Sequence, residues 1–138
     1  MNILVFDAQG GGIGKQVVAA IKRQIPQANV TAVGTNSLAT SAMLKAGADH
    51  AATGENAVVV CCRTADIIVG PIGIAIADSL FGEITPKMAT AVGQSNAKRI
   101  LIPINHCSNI IVGVEVLNTS KLIESVIAEI QKIVDSVN

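Results

Sequence analysis

The chain has 138 residues, half of them hydrophobic, with ten basic residues against ten acidic ones and only two aromatic side chains, Phe6 and Phe81. That is one domain's length of chain (1–138) with ample material for a core, so a separate substrate domain does not fit. Zero net charge and two aromatic rings supply neither the basic footprint nor the stacking platform that nucleic acid requires, and nucleic acid is not expected as a partner.

A strand is expected from the first residues, with no charged leader before it. No apolar stretch reaches transmembrane length, so the expectation is a soluble cytoplasmic protein. Ile3 to Phe6 are consecutive apolar residues, as in a strand buried on both faces of a parallel sheet. Gly10, Gly11, Gly12 and Gly14 follow, and Val17, Val18, Ile21 and Ile25 then recur at helical spacing. A helix opening here aims its free amides, between Gly12 and Lys15, out of the sheet's carboxyl edge. With Ile13 between the glycines, Gly10 to Lys15 form the first candidate site, suited to a phosphate. The strict dinucleotide motif G-x-G-x-x-G fails, because its third glycine falls on Lys15. A looser reading, Ala8 followed by Gly12-Ile13-Gly14, resembles the glycine turn of short-chain dehydrogenases with alanine in place of the first glycine. A P-loop is disfavoured by Gln9 and Gln16, which stand where it needs a glycine and a hydroxyl. The competing reading is a tight strand-to-helix connection and nothing more.

Pro26 ends the helix, and Asn29 to Val33 read as the second strand, closed by Gly34-Thr35-Asn36-Ser37. Dinucleotide-binding units place at this point an acid that holds the ribose and repels a 2′-phosphate. No acid stands there, so Thr35, Asn36 and Ser37 are read as tolerating the phosphate, with Lys15 as the nearest cation in the sequence. NADP, or failing that NAD, is the cofactor expected. Asn36 or Ser37 serves equally well as a helix cap.

A second helix runs from Ser37 to Lys45 and stops at Gly47, a short strand follows over 48–52, and Thr53 looks like the cap of a helix reaching Cys62. Ile67 to Val69 form a buried strand that runs into Gly70, Pro71 and Gly73, the second candidate site loop. Residues 74–81 read as a buried helix ended by Gly82, and Thr85-Pro86 opens another. Arg99 to Ile104 are the fifth strand, with Asn105-His106-Cys107 as a third site loop. Ile110 to Val116, broken by Gly113, read as a sixth strand at an edge. An amphipathic helix over 120–137 closes the chain, and its apolar spacing also resembles a short heptad seam for a homo-oligomer.

Strands alternating with helices give a three-layer α/β Rossmann-like domain with a mostly parallel sheet in the order 3-2-1-4-5. A flavodoxin-like order is the competitor, disfavoured for flavin because two phenylalanines leave little to sandwich its ring. The runs Asp7 to Lys15, Ala32 to Ala48, Thr53 to Ala57 and Ala65 to Ile74 resemble a family of small bacterial proteins, found chiefly in anaerobic Firmicutes, that has no assigned activity. The resemblance covers nearly the whole chain and implies a Rossmann-like fold without implying a mechanism.

Catalytic groups are not legible. The Tyr-x-x-x-Lys pair of short-chain dehydrogenases is excluded by the absence of tyrosine. Cys61, Cys62 and Cys107 are an odd number without a disulfide framework, as for thiols in a reducing compartment. With His106 they show no zinc spacing, and no metal is expected. Asp7 and Asp78 form no readable carboxylate pair, and His50 reads as structural. The expectation is a module that binds a small nucleotide ligand without chemistry of its own. The alternative is a small oxidoreductase whose active site a second subunit completes.

Overall fold

The computed structural model describes residues 1–104 and 108–137. Five parallel strands, β1 (Asn2–Asp7), β2 (Asn29–Gly34), β3 (His50–Thr53), β4 (Ile67–Pro71) and β5 (Lys98–Ile102), form one sheet in the order β3-β2-β1-β4-β5. The α/β Rossmann-like arrangement expected from the sequence is therefore the one found. β1 lies at the centre, with Val5 opposite Ala32 on one side and Val69 on the other. Its apolar run is continuous because helices cover both faces of the sheet.

Helices α1 (Gly12–Gln24), α2 (Ser37–Lys45) and α5 (Thr119–Ser136) close one core around Val5, Val17, Ile21, Met43, Val69 and Ile130. Helices α3 (Glu55–Thr64) and α4 (Pro86–Gln94) close the other around Leu4, Phe6, Val58, Ile68 and Val92. The helix starts follow local chemistry. Asn36 caps α2 by accepting from the Ala39 N–H at 2.9 Å, and Thr85 caps α4 from Met88 at 3.1 Å, ahead of Pro86. Thr53 caps nothing. Its hydroxyl lies 2.7 Å from that of Thr40, and Gly54 holds the capping position of α3.

Three expected elements differ. Residues 72–75 make a single 3₁₀ turn instead of starting a buried helix, and Asp78, Leu80 and Phe81 then adopt positive φ of 66°, 56° and 58°. Ile74, Leu80 and Ile84 are buried nonetheless, as separate anchors of a folded-back loop, which is why the segment reads as apolar. No strand forms over 110–116, where Gly113 turns the chain at φ 81°. The α5 seam is used up at home: Val126 and Ile130 are buried and Ile123 and Ile133 pack on the same core, which leaves only Val137 exposed. Among the described residues no helix is long and apolar enough to cross a membrane.

α1 packs against the end of β1 at a point where Gly14 has no side chain. A Cβ there would come 2.7 Å from Met43 Sδ and 2.8 Å from Asp7 Cβ, whereas a Cβ on Gly12 meets nothing within 4 Å. Urea denaturation should therefore show Gly14→Ala destabilised by about 1–3 kcal/mol through overpacking, with Gly12→Ala within about 0.5 kcal/mol of the parent.

Candidate functional site

Where β1 and β4 send their following helices to opposite faces, the carboxyl edge of the sheet opens into a crevice of about 250 Å³. Open α/β sheets bind ligands at such a switch point. Its walls include Asp7 at the end of β1, Ala8 and Gln9 just after it, Gly10, Gly12 and Ile13 from the glycine turn, and Pro71 at the end of β4. Gln16, Leu80, Ile104 and Thr119 complete it.

Among the described residues Asp7 is the buried polar group, 4 % exposed. Its Oδ1 accepts from the Ala8 N–H at 2.8 Å and its Oδ2 from the Gly14 N–H at 2.7 Å. Burial pushes its carboxyl above the ordinary value, the two backbone donors pull it part of the way back, and the nearby charge of Glu83 pushes it up again. The first four amides of a helix have no partner inside it. In α1, Gly14 gives its N–H to Asp7 and Lys15 gives its own to the Gly11 carbonyl at 2.9 Å. The N–H groups of Gly12 and Ile13, and that of Gly10 just before them, have no protein acceptor among the described residues.

The second carboxylate arrives from elsewhere in the chain. Glu83, on the loop between β4 and α4, places Oε1 within 2.6 Å of Thr35 Oγ1, 2.9 Å of Asn36 Nδ2 and 3.0 Å of the Gln9 N–H, all three donating to it. Asn36 Nδ2 also donates to the Gln9 carbonyl at 2.9 Å, which clamps a residue held at φ 54°. Burial by itself would raise the Glu83 carboxyl, but its three hydrogen bonds together outweigh burial and hold it below its ordinary value.

The residues singled out in the sequence divide. Gly10, Gly12, Ile13 and Pro71 line the crevice. Gly14 lends it no free amide, and Gly11, at φ 71°, lies against Ala39, where a Cβ would meet backbone at 2.9 Å. Gly70 is packed against the Phe6 carbonyl and Gly73 against Ser79, so both serve close approach within the protein. Thr35 and Asn36 are engaged by Glu83, and Ser37 is an exposed residue at the start of α2. Lys15 lines a groove between α1 and α2 instead of the crevice. Asn105, His106 and Cys107 lie outside the described residues. Cys61 is half-buried and Cys62 buried, and desolvation, with Cys61 beside it, pushes the Cys62 thiol up to about 11. Neither thiol borders the crevice. Among the described residues no group of three or more His, Cys, Asp or Glu is placed to hold a metal ion. Asp7 and Glu83 were missed as site residues. Asp7 had a signal, an acid between a buried strand and a glycine turn, whereas Glu83 lies 48 positions from Thr35 and had none.

Residues 2–135 match the family model described as "Domain of unknown function (DUF3842)". The chain belongs to this family. Comparison with curated proteins gives no match. Among solved structures, an FMN-dependent Ubix-like decarboxylase from Escherichia coli O157:H7, described as dodecameric, is similar at 18 % identity and a TM-score of 0.45 over 91 % of this chain and 74 % of that one. At that identity the likeness concerns the fold alone.

The expected cofactor, NADP or NAD, is corrected. The solved structure named above is described as FMN-dependent, where a nicotinamide cofactor was expected. Within the site, the acid missing from the end of β2 is supplied in space by Glu83, so the argument for a tolerated 2′-phosphate fails. Lys15 faces a different cavity, and two of the glycines taken for pyrophosphate contacts, Gly11 and Gly14, are committed to packing.

A carboxyl held below its unfolded value stabilises the fold above that value and loses the contribution as pH falls through the folded one. Glu83 should therefore support thermal stability fully above about pH 4.5 and progressively less below it. Asp7, raised, acts in the opposite sense, since its ionisation on raising the pH disfavours the folded state. Melting temperatures from pH 3 to 7 should show Glu83→Gln with a flatter acid limb than the parent; identical limbs would refute the assignment.

Proposed function

We propose that the protein is a binding module for a small phosphorylated ligand, with the phosphate seated on the N–H groups of Gly10, Gly12 and Ile13 and without chemistry of its own. The observation that carries this reading is that these amides border the crevice without acceptors, with open space above Gly10 and Gly12. The positive end of the α1 dipole adds to them. Ligand pockets commonly run from roughly 300 to 1,000 Å³. A crevice of about 250 Å³ suits a phosphate joined to one ring or a short chain, and is small for a dinucleotide.

Electrostatics sets a condition on such binding. An anion beside Asp7 and Glu83 is repelled by ionised carboxylates, and Asp7, already biased toward its neutral form, relieves that repulsion by taking up a proton. The reading of binding without chemistry rests on the lining: both Asp7 oxygens are occupied by backbone donors, and among the described residues no histidine, cysteine or lysine contributes to the walls. We place the protein in the cytoplasm, in keeping with the adjacent free thiols Cys61 and Cys62.

Calorimetric titration with inorganic phosphate, sugar phosphates and mononucleotides tests the reading. At least one phosphate compound should bind the parent at millimolar concentration or below, and Gly12→Val should abolish binding while leaving the melting temperature within a few degrees. Parent-like binding by Gly12→Val, or no binding of any phosphate compound, would overturn it.

A further inference from the structure

Three cavities run together along one side of the molecule. The crevice shares Gln16 with a groove of about 550 Å³ between α1 and α2, and shares Ile104 and Thr119 with a hollow of about 290 Å³ under the loop 110–117. The groove has a floor of Ala19, Ala42 and Ala46 and is edged by Leu38, 68 % exposed, and by Lys15 and Lys45. No acid lines it, and neither lysine forms an ion pair among the described residues.

The loop is its chemical complement. Ile110, Val112 and Val116 are 89 %, 93 % and 103 % exposed, an array of β-branched side chains that isolated folded chains seldom leave in water. Glu115 is the sole charged residue between positions 108 and 120. It too has no ion-pair partner among the described residues. Each copy thus presents an apolar groove with two cations and an apolar loop with one anion, linked through the crevice.

We infer that a second copy of this chain covers this band, the loop 110–117 of each seated in the α1–α2 groove of the other, with Glu115 of the partner subunit against Lys15 and Lys45. A two-fold axis near the crevice makes the contact twice. Loop and groove together then approach the roughly 20–30 residues a side of a standard interface. The pairing narrows the mouth of the crevice, so its walls are completed by the assembly. The apolar loop supplies the burial, and the charges fix partner and register. The inference stands on the exposed loop and groove and does not depend on which ligand the crevice takes.

Sedimentation equilibrium of the full chain without ligand tests it. The parent should weigh twice the 14.1 kDa chain mass at micromolar concentration. Val112→Asp should give the single-chain mass, and Glu115→Lys should weaken association about tenfold or more. Both positions are exposed, so far-UV circular dichroism melts should match the parent. Adding Lys15→Glu and Lys45→Glu to Glu115→Lys should restore the dimer. A parent that stays at the single-chain mass, or an assembly indifferent to Val112→Asp and Glu115→Lys, overturns the inference. Failure of the reversed lysines to restore the dimer overturns the groove as its seat. Because no phosphate compound is present, the result is independent of the ligand proposal.

Discussion

The carboxylate of Asp7 is the interaction on which the carboxyl edge of this protein depends. It ends the central strand and sits in an interior that disfavours its charge, with no cation paired to it among the described residues and two backbone N–H groups as its compensation. A hydrogen bond to a charged group is worth about 1.5–3 kcal/mol, while burying an ion in a protein costs several kcal/mol. Burial outweighs the two donors, which leaves its carboxyl above the ordinary value. Because Oδ2 reaches the third residue of α1, strand and helix are joined by a bond that only a glycine at position 14 leaves room for.

That bond also decides what the crevice can offer. A helix start of this kind usually presents its first amides to an anion. Here the protein's own carboxylate has taken one of them, so the site that remains is narrower than the run of glycines suggests. The glycines accordingly do different work: Gly10 and Gly12 keep the crevice open, whereas Gly11 and Gly14 let α2 and β1 approach. Fewer free donors therefore remain at the crevice, with the carboxylate of Asp7 beside them.

Glu83 extends the same logic across the sheet. Its loop carries Asp78, Leu80 and Phe81 in the left-handed region, conformations that cost of order 1 kcal/mol or more each for residues with side chains. Three donors converging on Oε1, together with the burial of Ile74, Leu80 and Ile84, offset that cost and hold the loop over the crevice. The end of β2, the glycine turn and the loop after β4 are thereby fixed relative to one another through one oxygen atom.

The sequence by itself determined the fold class and the sheet order. Apolar runs such as Ile3 to Phe6 and Ile67 to Val69 carry the signature of strands buried on both faces, and right-handed crossovers leave few ways to arrange them. It also located the edge of the sheet where the crevice lies, because glycines between a strand and a helix are a local signal. What it could not determine is which groups meet there. Glu83 reaches Thr35 only after β4 has been laid beside β1, Lys15 lines the groove that α2 makes with α1, and residues 74–81 and 110–116 look like a helix and a strand until tertiary contacts bury Ile74 and Leu80 of the first within a loop and leave most of the second exposed. Periodicity reports the burial a segment seeks, while the partners that satisfy it come from distant parts of the chain, and only the tertiary structure brings those together.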